Sequence, residues 1–402
     1  KAWRAHGDDE WARELLPKVE AALEFVINEP TLCDEERALI KRPHTLDEWD
    51  IQFPSDGDDH SFINETSHFV LMQGDTSSMF EACRLLAELY TALGRDDRAT
   101  YWRKRQKHYN KAGNDLFWDG VKYKHHIHLD SLDHGDFDED DQLATSNSWA
   151  VTRGFADHPK AVSILNEYMR RLETTGDRLP WWSLQPGYPD KLGYFKTEGA
   201  WSMKQGEYCN GGLFPWVGGE ICRGAFQHGM EELAYSMLCE FHSVVKRDHG
   251  AVFTWYDLEG NPGINAPHHQ TNYDPWGLTP WTQAVIEELA GIQSEGKRFE
   301  RVVCCPRWSA ARSKCATAVA HFPASNTYFA YKYEECGDRI SVSFTGTGKQ
   351  VAFRILIPGW GGRPKVALDG EAVASREEMV EESVYINVDA EIQGVRELTI
   401  VR

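Results

Sequence analysis

The chain has 402 residues, 43 basic and 62 acidic, with a net charge of −19. That excess of negative charge repels phosphate backbones and anionic bilayers at long range, so neither nucleic acid nor a membrane is an expected partner. No apolar run approaches the roughly 20 residues of a bilayer span, and no charged-then-apolar leader precedes Trp3. Nine cysteines, an odd number without metal-ligand spacing apart from the adjacent Cys304-Cys305, predict reduced thiols in a cytoplasmic protein.

The first predicted element is an amphipathic helix. Trp11, Leu15, Leu16, Val19, Leu23, Val26 and Ile27 fall on one stripe at helical spacing. Helices follow near residues 77–93, 96–116, 144–154, 158–173 and 213–228. Met230, Leu233, Met237, Leu238, Phe241, Val244 and Val245 form a further stripe, and a last helix is expected at 278–292. Short links such as Gly94-Arg95-Asp96 and Gly229 join consecutive pairs, which favours antiparallel hairpins. The links at the other ends, 29–75, 117–142, 174–211 and 248–276, are long and polar, and long loops on one side of a rigid scaffold usually carry function.

After about residue 297 the pattern becomes strand-like. Ile340–Phe344 alternates, Val351–Ile357 is strand-like, residues 358–362 read as a turn, and Val384–Val388 and Leu398–Val401 complete a small all-β unit. The expected organisation is a mostly α, (α/α) six-hairpin toroid over residues 1–296, with its site at the long-loop rim, followed by a C-terminal β-sandwich over 297–402. Eight predicted helices fall short of the twelve in six hairpins. First hairpins missing from the sequence, or a second chain, would close the ring.

The most informative segment is Tyr208-Cys209-Asn210-Gly211-Gly212-Leu213-Phe214-Pro215-Trp216, a polar, glycine-rich turn entering a helix that opens with proline. It offers a hydroxyl-reading amide beside a flat apolar ring. Trp49, Trp118, Trp181, Trp182, Trp255, Trp276 and Trp281 also lie near loops, where rings stack on pyranose faces. His125, His126, His128 and His134, with Asp130, Asp133, Asp136 and the acids through Asp141, read as a solvated loop, because the spacing matches no tight zinc pattern. No metal and no cofactor are expected. Phosphate loops, nucleophile elbows and nucleotide fingerprints are not found, which counts against kinases, esterases and dehydrogenases.

Four motifs resemble those of the inverting six-hairpin barrel glycosidases, the superfamily of trehalase, neutral invertase, debranching glucosidases and rhamnosidases. Asn210–Trp216 is similar to their Asn-Gly-Gly-x-Trp-Pro turn, and Glu48-Trp49-Asp50 to the Gly-Trp-Asp carrying the general acid. Gly74-Asp75 opens a helix as their Val-Asp does. Ser146-Asn147-Ser148-Trp149-Ala150 and Trp276–Trp281 are similar to two further helix starts.

The resemblance implies an exo-acting, inverting glycoside hydrolase on an oligosaccharide or glycoside. Two carboxyls about 6.5–9.5 Å apart would serve, one protonating the leaving oxygen and one activating water. Asp50 is the implied acid, with Trp49, Asp75, Glu207, Asn210, Trp216, Trp255 and Tyr256 around the sugar. The implied base position falls on Thr254, which cannot take a proton from water at neutral pH. Asp257 or Glu259 in the same loop, or Glu207 or Glu220 beside the turn, would then supply the carboxylate. Phosphate in place of water, as in an inverting phosphorylase, would remove the need for a base. A histidine-based sugar epimerase and a non-catalytic carbohydrate-binding subunit are the other readings.

Overall fold

Helix ends in this protein are set by side chains in some places and by distant backbone in others. The computed structural model describes residues 1–43, 68–130, 136–190, 204–263, 275–359 and 364–402. The helices are α1 (Ala2–His6), α2 (Asp9–Asn28), α3 (Gln73–Ala92), α4 (Asp96–Phe117), α5 (Thr145–Thr152), α6 (His158–Thr175), α7 (Pro215–Gln227), α8 (Glu231–Arg247) and α9 (Pro275–Gln283). Asp8 caps α2 by accepting from the backbone N–H groups of Glu10 and Trp11 at 3.0 Å each. Asp157 caps α6, and Gly176 ends it in the left-handed region at φ 74°. Among the described residues no helix is long and apolar enough to cross a membrane.

The chain divides into two compact units. One comprises Glu14–Gly224 and Ser243–Pro280, the other Lys1–Arg13, Ala225–His242 and Trp281–Arg402. In the first, α3 pairs with α4 and α5 with α6, while α3 also lies against α5. Glu20 of α2 fixes this corner. Its carboxylate accepts from Tyr90 Oη of α3 at 2.8 Å and from Arg98 Nε and Trp102 Nε1 of α4 at 2.8 and 2.7 Å.

Helices α3, α5 and α7 begin in a repeated way. Short strands lead into the first two: β1 (Cys33–Asp34), β2 (Leu39–Arg42), β3 (Val70–Met72), β4 (His126–His128), β5 (Leu143–Ala144) and β6 (Leu184–Gln185), with β3 antiparallel to β4 and β5 to β6. Gln73 N–H then donates to His125 O, Thr145 N–H to Ser183 O and Phe214 N–H to Trp181 O, at 2.7–3.0 Å. Backbone carbonyls of other loops thus satisfy donors that a side-chain cap otherwise would. Neither α3 nor α5 has a side-chain cap; α3 starts at Gln73, one residue before the Gly74-Asp75 pair expected to open it and ahead of the stripe at 77–93.

In the second unit the remaining strands are β7 (Ile292–Glu295), β8 (Arg301–Cys304), β9 (Cys315–Phe322), β10 (Thr327–Cys336), β11 (Arg339–Gly346), β12 (Gln350–Ile357), β13 (Lys365–Leu368), β14 (Glu371–Ala372), β15 (Arg376–Val380), β16 (Ser383–Glu391) and β17 (Arg396–Val401). They form two sheets, ordered β14-β13-β17-β11-β10-β9 and β15-β16-β12-β8-β7. Alternate residues of both sheets, among them Tyr331, Tyr333, Ile340, Val342, Val351, Phe353, Ile386 and Ile400, share one buried core, which is sandwich packing. The four strands expected from sequence are present, as β11, β12, β16 and β17.

A buried polar node completes this unit. Glu231, at the start of α8, accepts from the hydroxyls of Ser383 and Tyr385. Arg307 lies 4.0 Å from Glu231 and 3.6 Å from Glu288, and Gln227 Nε2 donates to Glu288 at 2.7 Å. Burial pushes the Glu231 carboxyl above the usual glutamate range, against the pull of Ser383 and Arg307.

Candidate functional site

The Tyr208–Trp216 turn is held almost entirely by its own backbone and by neighbouring loops. Gly206 N–H donates to Asn210 O at 2.8 Å, and Gly212 N–H to Tyr208 O at 2.8 Å. A Cβ on Gly212 would lie 2.6 Å from Tyr208 N, and one on Gly187 would lie 2.3 Å from Asn210 O. Glycine is required here by approach of protein backbone, with no ligand needed to explain it.

Asn210 is fully buried. Its Oδ1 accepts from Tyr188 N–H at 2.6 Å, and its Nδ2 donates to Tyr188 O at 3.0 Å. The amide expected to read a sugar hydroxyl is a clamp on the preceding loop. Asn147 repeats the arrangement one hairpin earlier, accepting from Tyr123 N–H at 2.8 Å and donating to Tyr123 O at 3.0 Å. The Asn-bearing helix starts singled out in the sequence are therefore two copies of one structural device.

Around this turn, the structure gathers several expected residues. Leu213 bridges Trp182 on one side and Tyr256 on the other. Tyr256 is fully buried and Trp255 is 4% exposed, with its ring centroid 6.4 Å from that of Tyr208. Trp255 Nε1 is buried and has no hydrogen-bond partner among the described residues. Trp216 is half-buried and stacks on Trp149 at 5.2 Å and 18°. Glu207 accepts from Lys204 N–H at 3.1 Å.

The two carboxylates of the 253–259 loop differ. Asp257 accepts from Asn261 N–H at 2.7 Å and Asn261 Nδ2 at 3.1 Å, closing a turn. Glu259 is exposed and makes no hydrogen bond among the described residues. Asp75 stands in the first turn of α3, paired with Arg42 Nε at 3.1 Å. Asp50 and Trp49 lie outside the described residues, as do His134 and Asp133.

Sequence reasoning missed a second cluster in this unit. The run from His125 to Asp141 is not uniformly solvated: His125 is 1% exposed and His126 5%. His126 and His128 share one face of β4, since strand residues two apart point the same way. Glu139 opens a 3-10 turn, Glu139–Asp141, capped by Asp138. Its Oε2 lies 2.9 Å from His128 Nε2 and 3.4 Å from His126 Nε2, and the two Nε2 atoms are 3.2 Å apart.

Burial pushes the His126 imidazole down to about 4, so it is neutral at pH 7. Burial pushes the Glu139 carboxyl up, but its hydrogen bonds to His126 and His128 outweigh that and hold it below the usual range. The available signal was the His-x-His alternation, which a search for helical or Cys-type spacings overlooks. Gln73, beside His125 at the head of α3, is fully buried with neither amide atom hydrogen-bonded among the described residues.

No protein-family model and no curated protein matches the chain. Solved structures do. An α-L-rhamnosidase from Dictyoglumus thermophilum aligns over 100% of this chain and 38% of its own, at TM-score 0.58 and 12% identity. A family GH78 rhamnosidase of Bacillus sp. GL1 aligns over 83% of this chain and 29% of its own, at TM-score 0.53 and 14% identity. An α-L-rhamnosidase from Aspergillus terreus aligns over 98% and 38%, at TM-score 0.53 and 10% identity. The chain thus spans between 29% and 38% of the length of these proteins, and the likeness is one of fold.

Proposed function

We propose that this chain forms an (α/α) toroid with a C-terminal β-sandwich and acts as a glycoside hydrolase, removing a terminal sugar with inversion. The observation that supports it is the fold likeness to rhamnosidases, which runs through the helical hairpins and the β-sheets alike. The sugar would lie at the rim where α3, α5 and α7 begin. Trp216, half-buried, would offer its apolar face, with the buried rings of Trp255 and Tyr256 packed in the same loop cluster, and Asp75 and Glu207 would be polar neighbours.

In the reaction, Asp50 protonates the glycosidic oxygen as its bond to the anomeric carbon breaks. A carboxylate of the 253–259 loop takes a proton from the water that attacks the opposite face. Glu259 suits that role better than Asp257, whose oxygens already close a turn.

One observation favours phosphorolysis as a second reading. The resemblance puts the superfamily's base position on Thr254, and the Arg178 and Arg247 side chains lie against the same loop at Gly260. Time-resolved proton NMR on a panel of aryl glycosides and oligosaccharides, with and without phosphate, separates the two. Release of the inverted anomer in phosphate-free buffer supports hydrolysis, and release only with phosphate supports the second reading. Undiminished turnover in both Asp50→Asn and Glu259→Gln would sink the assignment of roles.

A further inference from the structure

Three ligand-type atoms, His126 Nε2, His128 Nε2 and Glu139 Oε2, converge in the first unit with mutual distances of 3.2, 2.9 and 3.4 Å. Three donors around a tetrahedral zinc-class ion, each about 2.0–2.1 Å from it, would stand about 3.4 Å apart. The observed triangle is within a few tenths of an ångström of that figure on two edges and tighter on the third.

Hydrogen bonding alone serves this triangle poorly. If both imidazoles carry their proton on Nε2 and donate to the carboxylate, two N–H groups face each other at 3.2 Å. If one Nε2 is instead a lone pair, it faces the carboxylate oxygen without a proton between them. One edge is repulsive in either tautomer, and a cation at the centre relieves all three.

The surroundings hold the donors in place before any ion arrives. The side chains of His126, Glu139 and His128 are 1%, 11% and 14% exposed. Tyr188 Oη donates to Glu139 Oε1 at 2.8 Å, which leaves Oε2 turned toward the histidines. His126 Nδ1 lies 3.3 Å from His125 Nδ1. The turn bearing Glu139 is pinned by Arg171 Nη2, which donates to Asp141 O at 2.7 Å and Oδ1 at 2.9 Å, and by Lys122 Nζ, which donates to Asp140 O at 2.6 Å. Such supporting partners are the usual second layer of a metal site.

We propose that His126, His128 and Glu139 bind one divalent transition ion of the zinc class. Two histidines and a carboxylate suit zinc or its neighbours better than calcium, which prefers six or more oxygens. Through Tyr188 the ion connects to the Asn210 clamp, and so stiffens two of the long loops together.

The test uses the full chain, stripped with chelator and titrated with zinc sulfate alone. Metal content is read by mass spectrometry after dialysis, and geometry by the visible spectrum of the cobalt-loaded protein. One equivalent per chain, a four-coordinate cobalt spectrum and a zinc-dependent rise in melting temperature are expected. His128→Ala and Glu139→Gln should each weaken binding at least 100-fold and abolish the melting shift. Tyr188→Phe, which keeps the fold-forming backbone contacts, should weaken it about 10-fold. Sub-stoichiometric binding by the parent, or equal binding in parent and His128→Ala with the same far-UV spectrum, would overturn the proposal and leave the glycosidase reading untouched.

Discussion

Replacing Asn210 by alanine separates a scaffold role from a sugar-reading role. The side chain makes two hydrogen bonds to Tyr188 backbone, at 2.6 and 3.0 Å, and Tyr188 is fully buried. A buried backbone group stripped of its partner costs about 1–3 kcal/mol, so two cost about 2–6 kcal/mol. With an m-value of about 3 kcal/mol/M, the urea midpoint should fall by about 0.7–2 M, read by tryptophan fluorescence and far-UV circular dichroism. Hydrogen exchange at the Tyr188 amide should lose protection before the rest of the unit. Asn147→Ala should lose a similar amount, because its bonds to Tyr123 have the same pattern at 2.8 and 3.0 Å. Asn210→Asp should be worse than Asn210→Ala, since a carboxylate oxygen would face the Tyr188 carbonyl. If Asn210→Ala unfolds within about 0.5 kcal/mol of the parent while sugar affinity collapses, the clamp argument is wrong.

Glu20→Ala should destabilise the first unit by about 2–4 kcal/mol, because it removes the shared acceptor of Tyr90, Arg98 and Trp102; chemical denaturation checks it. Glu231 gives a pH signature. Its folded carboxyl is raised above the ordinary glutamate value, so its contribution is fully present at low pH and is lost as pH rises through the raised value. Glu231→Gln should therefore flatten that part of the stability–pH curve and gain most, relative to the parent, at pH 7–8. Asp75→Asn should lower kcat/KM at least 10-fold on any glycoside turned over, with little change in melting temperature, because Asp75 and Arg42 are both partly exposed.

The amphipathic periodicity of the helices was legible because each buries a stripe regardless of what it packs against. The heads of α3 and α5 were legible as helix starts, at Gly74-Asp75 and near residue 144, but their partners were not: the orphan N–H groups are met by His125 O and Ser183 O, 52 and 38 residues away, which no local capping signal announces. In the β unit, β10 was readable in principle, since Phe329, Tyr331 and Tyr333 alternate and all are buried. Its charged neighbours Lys332 and Glu334 face outward, and Glu335 continues the inward row with its side chain only 6% exposed, so charge on both faces masks the pattern.

The site shows why residue type does not fix role. Asn210 has the chemistry to read a hydroxyl, yet once the turn closes, its donor and acceptor point at the same residue's carbonyl and N–H, and both bonds are made. His126 and His128 have the chemistry of solvated loop residues until β4 pairs with β3 and aligns them on one face. In both cases the deciding contact lies 11–22 residues away, Tyr188 for Asn210 and Glu139 for His128. Composition names the available groups, and pairing between loops at the heads of the helices decides which of them remain free to meet a ligand.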